Sequence, residues 1–182
     1  MGWRRLLRDP EPGTDFEELV LPLLPSAYNL ARWLTRNDHD AEDVVQEAFL
    51  RAYRFFPSFR GGDPRAWLLA IVRNACWTFL RANRAREVAT ALENADEPAD
   101  AAGSVEEDLV RRADGARLRR ALDELPGAFR EVIVLRELEE LSYREIAEVA
   151  GVPVGTVMSR LARARRRLQS VLARPVAAEV EP

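Results

Sequence analysis

The chain predicts an all-α fold: two small helical domains joined by a flexible acidic linker, with a C-terminal helix-turn-helix. Three observations lead there. Apolar residues recur at spacings of three and four along most of the 182 residues, and no segment calls for strands. Residues 89–105 are alanine-rich and acidic, hold Pro98 and Gly103, and show no sustained apolar stripe, so they read as a linker. Residues 141–168 read as a helix, a tight turn and a second helix. The resulting division is a tail at 1–15, a helical domain at 16–88, the linker at 89–105, a helix-turn-helix domain at 106–172 and a second tail at 173–182.

Composition narrows the function classes. With 47% apolar and 31% charged residues the chain can build cores and stay soluble. All 27 basic residues are arginine, which removes lysine-based catalysis. The net charge of −3 does not suit a free-standing DNA binder, but its distribution is uneven. Residues 1–90 hold 13 arginines against 12 acids, residues 91–140 hold 7 against 14, and residues 141–182 hold 7 against 4. The base gathers at one end and the acid in the middle, so the average hides an electrostatic footprint. A single cysteine, Cys76, forbids an intramolecular disulfide or a cysteine-rich metal site, and its apolar setting predicts a buried thiol. The lone histidine, His39, sits between two aspartates without convergent partners and reads as a solvated helix-start residue. No apolar run reaches membrane-spanning length and no secretory signal follows Arg4, Arg5 and Arg8; the cytoplasm is the expected compartment, and no cofactor is expected.

In the first domain a helix begins at Asp15 or Phe16, with Leu19, Val20, Leu23 and Leu24 expected on one apolar face and Pro22 and Pro25 interrupting it. It resumes from Ala27 to Arg36. After the cap cluster at 37–40 a helix runs to about Phe55, with Ala41, Val45, Ala48, Phe49, Ala52 and Tyr53 as its core stripe. Its other side carries Glu42, Asp43, Gln46 and Glu47 first and Arg51 and Arg54 last, an order that suits the helix dipole. A solvent-facing surface explains that pattern by itself. A loop at 56–62 places Phe56 and Phe59 beside Arg60, Gly61 and Gly62, an uncommon exposure of aromatics unless something docks there. Asp63 caps and Pro64 opens the next helix, which turns Trp67, Leu68, Ile71, Val72, Ala75 and Phe79 inward. A second stripe on it, Arg73, Trp77, Arg81 and Arg84 with Asn74 alongside, has two readings. Arginines could track a single strand's phosphates while the indole stacks a base; or Trp77 lies at a helix–helix seam with surface arginines around it.

Helical pattern returns near Ser104 and continues to Leu125, breaks at Pro126 and Gly127, and runs from Ala128 to Leu138 with Phe129, Val132, Ile133, Leu135 and Leu138 inward. Ser142 and Glu145 then form a capping box, and Leu141 and Ile146 a hydrophobic staple. Gly151 ends that helix and Pro153 starts the next. Val154, Val157, Leu161, Ala164 and Leu168 form its buried stripe. Opposite stand Thr156, Ser159, Arg160, Arg163, Arg166 and Arg167, hydroxyls first and guanidinium groups after, with no acid from Pro153 to Ala173. That is the distribution a DNA-reading helix needs: base contacts near its start, phosphate contacts along its length.

Five strings in order, DAEDVVQEAFLRAY (40–53), FRGG (59–62), WLLAIVRN (67–74), LPGAFREVIVL (125–135) and the 141–168 stretch, resemble bacterial RNA polymerase sigma factors, and the two-domain layout resembles their extracytoplasmic-function group. The resemblance covers about residues 16–172. It implies that Asp43, Gln46, Glu47 and Arg51 dock on the β′ clamp of core RNA polymerase, and that the helix-turn-helix domain lies by the β flap. It implies that Phe59, Arg60, Arg73, Asn74, Trp77, Arg81 and Arg84 belong to the part that melts the minus-ten element. Gly155, Thr156, Ser159, Arg160, Arg163, Arg166 and Arg167 would then read the minus-thirty-five element of promoter DNA, and an anti-sigma factor would be the usual control. Thr78, Arg65-Ala66 and Met158 depart from the family's commoner residues, which bears on base preference. A stand-alone helix-turn-helix regulator with an N-terminal sensor or dimerisation domain is the alternative, predicting dimers on a palindromic site. An all-helical enzyme is disfavoured, since no metal cluster, nucleophile–base pair or phosphate-binding loop appears.

Overall fold

The computed structural model describes residues 14–93 and 109–173. Among them the elements are helical: α1 (Thr14–Val20), α2 (Leu24–Thr35), α3 (Asp38–Phe55), α4 (Pro64–Glu93), α5 (Leu109–Asp123), α6 (Gly127–Ile133), α7 (Tyr143–Ala150) and α8 (Val154–Leu172). Short 3₁₀ turns join α1 to α2 and follow α3, and a π-helical turn, Val134–Leu138, prolongs α6. The C-terminal tail from residue 174 and most of the N-terminal tail and the linker lie outside the described residues. α4 continues to Glu93, past residue 88 where the sequence places the first domain's end.

The helix ends follow from identifiable side chains. Asn37 Oδ1 accepts from the Asp40 N–H at 3.0 Å and Asp63 Oδ1 from the Arg65 N–H at 2.9 Å, each satisfying a donor of a first turn. The capping box forms in both directions: the Glu145 N–H donates to Ser142 Oγ at 3.3 Å and the Ser142 N–H to Glu145 Oε2 at 2.7 Å. Gly151 closes α7 at φ +64°, a conformation that costs an L-residue about 1 kcal/mol or more. Pro153 stands one position earlier than expected. It is the cap of α8, and its carbonyl accepts from Thr156 and Val157.

α2, α3 and α4 pack against one another, burying Leu30, Ala31, Val44, Ala48, Leu68, Leu69, Val72 and Cys76. α6, α7 and α8 do likewise around Val132, Val134, Leu135, Ile146, Val157 and Leu161. The two cores are continuous, with α2 against α6 and α4 against α7, so both domains share one closed body. Burial pushes the Cys76 thiol up to about 12, as befits a structural cysteine.

Several residues expected inside are exposed. Leu19 and Leu24 face out because Phe16 and Val20 take the buried side of α1 and the turn at Pro22 shifts the phase. Tyr53 lies on the surface, edge-on to Phe16 at 5.3 Å. Val154 begins α8 on the outer side of the turn. Leu138 is turned out and Glu139 turned in by the π-helical turn, whose extra residue rotates everything after it by roughly one helical position.

Two substitutions test the α7 framework. Gly151→Ala should lower stability by about 1 kcal/mol through forced left-handed backbone, and Ser142→Ala by about 1 kcal/mol through the lost cap. Hydrogen bonding to Ser142 holds the Glu145 carboxyl below its ordinary 4.5, with Arg65 adding to the shift. A depressed carboxyl stabilises the fold fully above its unfolded value and loses that share as pH falls through the folded value. Thermal melts from neutral to acidic pH should therefore show a shallower acid-side decline in Ser142→Ala than in the parent.

Candidate nucleic-acid interface

α8 presents the predicted reading face largely as expected. Gly155, Ser159, Arg163, Arg166 and Arg167 are exposed, and Thr156 is half-buried. Ser159 Oγ donates to the Thr156 carbonyl at 2.9 Å, and Arg166 Nε to the Ala162 carbonyl at 3.3 Å. These bonds hold the side chains along the helix without tying them to another element. Met158 adds an apolar contact to the same surface at 54% exposure.

The second cluster lies on α4 and the turn before it. Phe59 stacks on Phe56 with ring centroids 6.1 Å apart and meets Trp67 at 5.1 Å, an aromatic group that props the loop up. Gly61 and Gly62 adopt φ +88° and +97°, which only glycine takes without strain, and leave the loop tip bare. Arg60 is exposed and donates to the Pro57 carbonyl at 3.1 Å. Asn74 and Arg84 are exposed as well, and the Arg81 Nε donates to the Trp77 carbonyl at 3.1 Å.

Arg73 and Trp77, however, do not face open solvent. Arg73 Nε donates to Glu131 Oε1 at 2.6 Å and Trp77 Nε1 donates to the same oxygen at 3.0 Å. Arg160 from α8 reaches 3.9 Å from the other oxygen of Glu131. Of the two readings offered for Trp77, the structure places it at a helix–helix seam, against Gly127 at the start of α6. The carboxylate that gathers these groups is fully buried. Sequence reasoning passed over it, although an acid inside the apolar run 129–135 is a visible signal that a partner must exist.

A third surface lies on α3. Asp43, Gln46 and Glu47 are exposed, Arg51 is half-exposed, and Arg51 Nε donates to Glu47 Oε1 at 2.7 Å. Beside them is an open apolar groove of about 540 Å³ between α2 and α3, lined by Leu24, Pro25, Tyr28, Val45 and Phe49 with Glu42 and Gln46 at its edge. The charged half of this surface is readable from sequence. The apolar half is not, because Leu24 and Phe49 fit a core pattern equally well. His39 is solvated, 4.0 Å from Asp43. Among the described residues no group of acids, histidines and cysteines could hold a metal ion, and no helix is long and apolar enough to cross a membrane.

Two helical units, a helix-turn-helix and an arginine-bearing α4 define an all-helical protein of the helix-turn-helix class, and comparison with known proteins gives the family. The description "Sigma-70 region 2" matches residues 19–86 and "Sigma-70, region 4" matches residues 115–168. The chain is 38% identical over 160 residues to the ECF RNA polymerase sigma factor SigE of Mycolicibacterium smegmatis, covering 87% of this chain and 62% of that one. It is 36% identical to the ECF RNA polymerase sigma-E factor of Haemophilus influenzae over 78% of each, and 34% identical to the RNA polymerase sigma-H factor of Pseudomonas aeruginosa over 86% of each. Among solved structures it is similar to the sigma factor RpoE of Bartonella quintana crystallised with the anti-sigma factor NepR, with a TM-score of 0.71, 32% identity, and coverage of 87% and 97%. A second similar structure is CnrH with the cytosolic domain of CnrY, with a TM-score of 0.61, 28% identity, and coverage of 87% and 88%. The chain belongs to the extracytoplasmic-function RNA polymerase sigma factors. The stand-alone regulator is not favoured, since the N-terminal domain is sigma-70 region 2 rather than a sensor.

Arg130 fixes the geometry around Glu131. It is 3% exposed and donates to the carbonyls of Leu122, Asp123 and Leu125 and, across the domains, to that of Trp33 at 3.2 Å. Burial pushes its guanidinium down to about 10. These bonds tie the end of α5 to α6. Arg130→Met should keep the volume but strand the carbonyls, costing about 3 kcal/mol; urea unfolding of the full chain checks it.

Proposed function

We propose that this sigma factor divides its work as its surfaces are divided. The α3 face, with Asp43, Gln46, Glu47 and Arg51 beside the Leu24–Tyr28–Phe49 groove, joins core RNA polymerase at the β′ clamp. The α4 face and the Phe59 loop take the opened minus-ten strand. Gly155, Thr156, Ser159, Arg160, Arg163, Arg166 and Arg167 engage the minus-thirty-five duplex, with this domain resting by the β flap. The observation that carries the reading is one chain holding regions 2 and 4 in order, each with exposed arginines: Arg60, Arg81 and Arg84 in the first, and Arg163, Arg166 and Arg167 in the second. The polymerase supplies the catalysis, and the factor works in the cytoplasm, where both polymerase and promoter are found. The net charge of −3 agrees with this division, because a holoenzyme holds DNA as a whole.

An anti-sigma factor is the proposed regulator. Support comes from RpoE of Bartonella quintana, similar to this chain over most of its length and crystallised with the anti-sigma factor NepR. The base the loop would capture must be unstacked at a cost of a few kcal/mol, about two to five, which the pocket must offset.

Two substitutions should separate the roles. Arg163→Ala should weaken holoenzyme binding to upstream duplex and lower the salt dependence of log K by about 1, while leaving polymerase binding intact. Asp43→Ala should weaken association with core polymerase and spare upstream recognition. Filter binding at several salt concentrations and pull-down with core enzyme read the two effects; a common phenotype would refute the division.

A further inference from the structure

We propose that Met158, with Val154 before it and Ala162 after it, determines the base specificity of the upstream contact by reading the C5-methyl group of a thymine in the major groove. The inference rests on the reading of α8 as the helix that enters the minus-thirty-five duplex, and it adds which base is read and by what chemistry.

α8 carries two apolar stripes, and only one of them is used in packing. Val157, Leu161 and Ala164 are buried where α8 meets α6 and α7. Val154, Met158 and Ala162, each four residues from the next, form a second line on the outer side, and all three are exposed. Val154 is 40% exposed and Met158 54%. Neither belongs to the hydrophobic core or to its partly buried margin. A helix-turn-helix presents the N-terminal residues of its second helix to base edges, and Val154 and Met158 stand in those first two turns.

The polar groups of the same turns favour the same base pair. From Val154 to Leu161 there is no amide or carboxylate side chain, and the single arginine, Arg160, is turned toward Glu131, 3.9 Å away, with its side chain 25% exposed. The first exposed guanidinium of α8 is that of Arg163, in the third turn. The bidentate arginine contact that commonly selects guanine is therefore missing where bases are read. What remains is an apolar surface and a hydroxyl. Ser159 Oγ spends its hydrogen on the Thr156 carbonyl at 2.9 Å, so it offers acceptor lone pairs outward. Thymine alone among the four bases presents a methyl group in the major groove, and the adenine paired with it presents an amino donor. Methionine and the serine acceptor together match what A·T pairs display.

The local shape admits the contact. Gly155 neighbours both Met158 and Ser159 on the helix surface, and nothing lies within 4 Å of where its Cβ would stand. The start of α8 is bare beside the methionine, so the backbone can come close to the groove floor. The unbranched thioether then settles over a methyl group without demanding one fixed rotamer. Arg163, Arg166 and Arg167 follow as phosphate ligands that hold the register.

Holoenzyme assembled from core RNA polymerase and the full chain tests this. Promoter-length duplexes randomised over the upstream element are selected with the parent and with Met158→Ala. The parent should enrich thymine at one or more positions, and Met158→Ala should lose that preference at one of them while keeping the rest of the element. The selected duplex is then remade with uracil at that position, which removes the methyl group and nothing else. Filter binding should show the parent's affinity falling about fourfold, the share of one buried methyl-sized group, while Met158→Ala binds the two duplexes nearly alike. Arg166→Ala is the contrast: it should weaken both duplexes equally and keep the fourfold ratio. Equal binding of uracil and thymine by the parent, an undiminished ratio in Met158→Ala, or a selected element without thymine overturns the proposal and leaves the promoter-reading assignment standing. If the parent holoenzyme enriches no upstream sequence, that assignment falls and the proposal falls with it.

Discussion

A carboxylate shut away from water must be given cations and hydrogen-bond donors, and Glu131 receives them from both domains. Arg73 and Trp77 come from α4, and Arg160 from the neighbouring α8. This requirement adds a polar link to two domains whose apolar cores are already continuous. Glu139 places the same demand on Arg65 and Asn29 a short way along the seam. The relation of the domains is therefore set by buried charge as well as by apolar area.

The acidic middle of the sequence takes on a second meaning in this light. Residues 91–140 carry 14 of the acids, and as composition they say only that the middle of the chain is acidic. Glu131 and Glu139 belong to that count but lie in folded structure, and they act on particular arginines. Net charge is a statement about association and solubility; it is silent on which acids are solvated and which are bonded.

Much of the fold was legible because local chemistry and tertiary packing agreed. Ser142, Glu145 and Gly151 bound α7 as their residue types dictate, since caps satisfy the backbone within a few residues of themselves. The Thr156-to-Arg167 face is also a matter of helical period alone. Where two residues fit both a core and a surface, period was not enough. Leu24 and Tyr53 have core spacing, yet the buried side was filled by Val20 and Phe16, so they stand on the surface. Leu138 failed for a different reason. A π-helical turn inserts a residue into the phase, and nothing in the string 134–138 announces it.

By itself, then, the order of residues determined the helices, their caps, the helix-turn-helix and the family, because all of these depend on contacts within a few positions or on strings of fixed spacing. Only the tertiary structure decided what becomes of Arg73 and Trp77. Their partner is 58 and 54 residues away, and no periodicity reaches so far. The first two residues of the stripe that reads as a platform for single-stranded DNA are bonded to a glutamate. The physical reason is that a guanidinium group and an indole N–H accept any well-placed anion, and folding supplied one before DNA could.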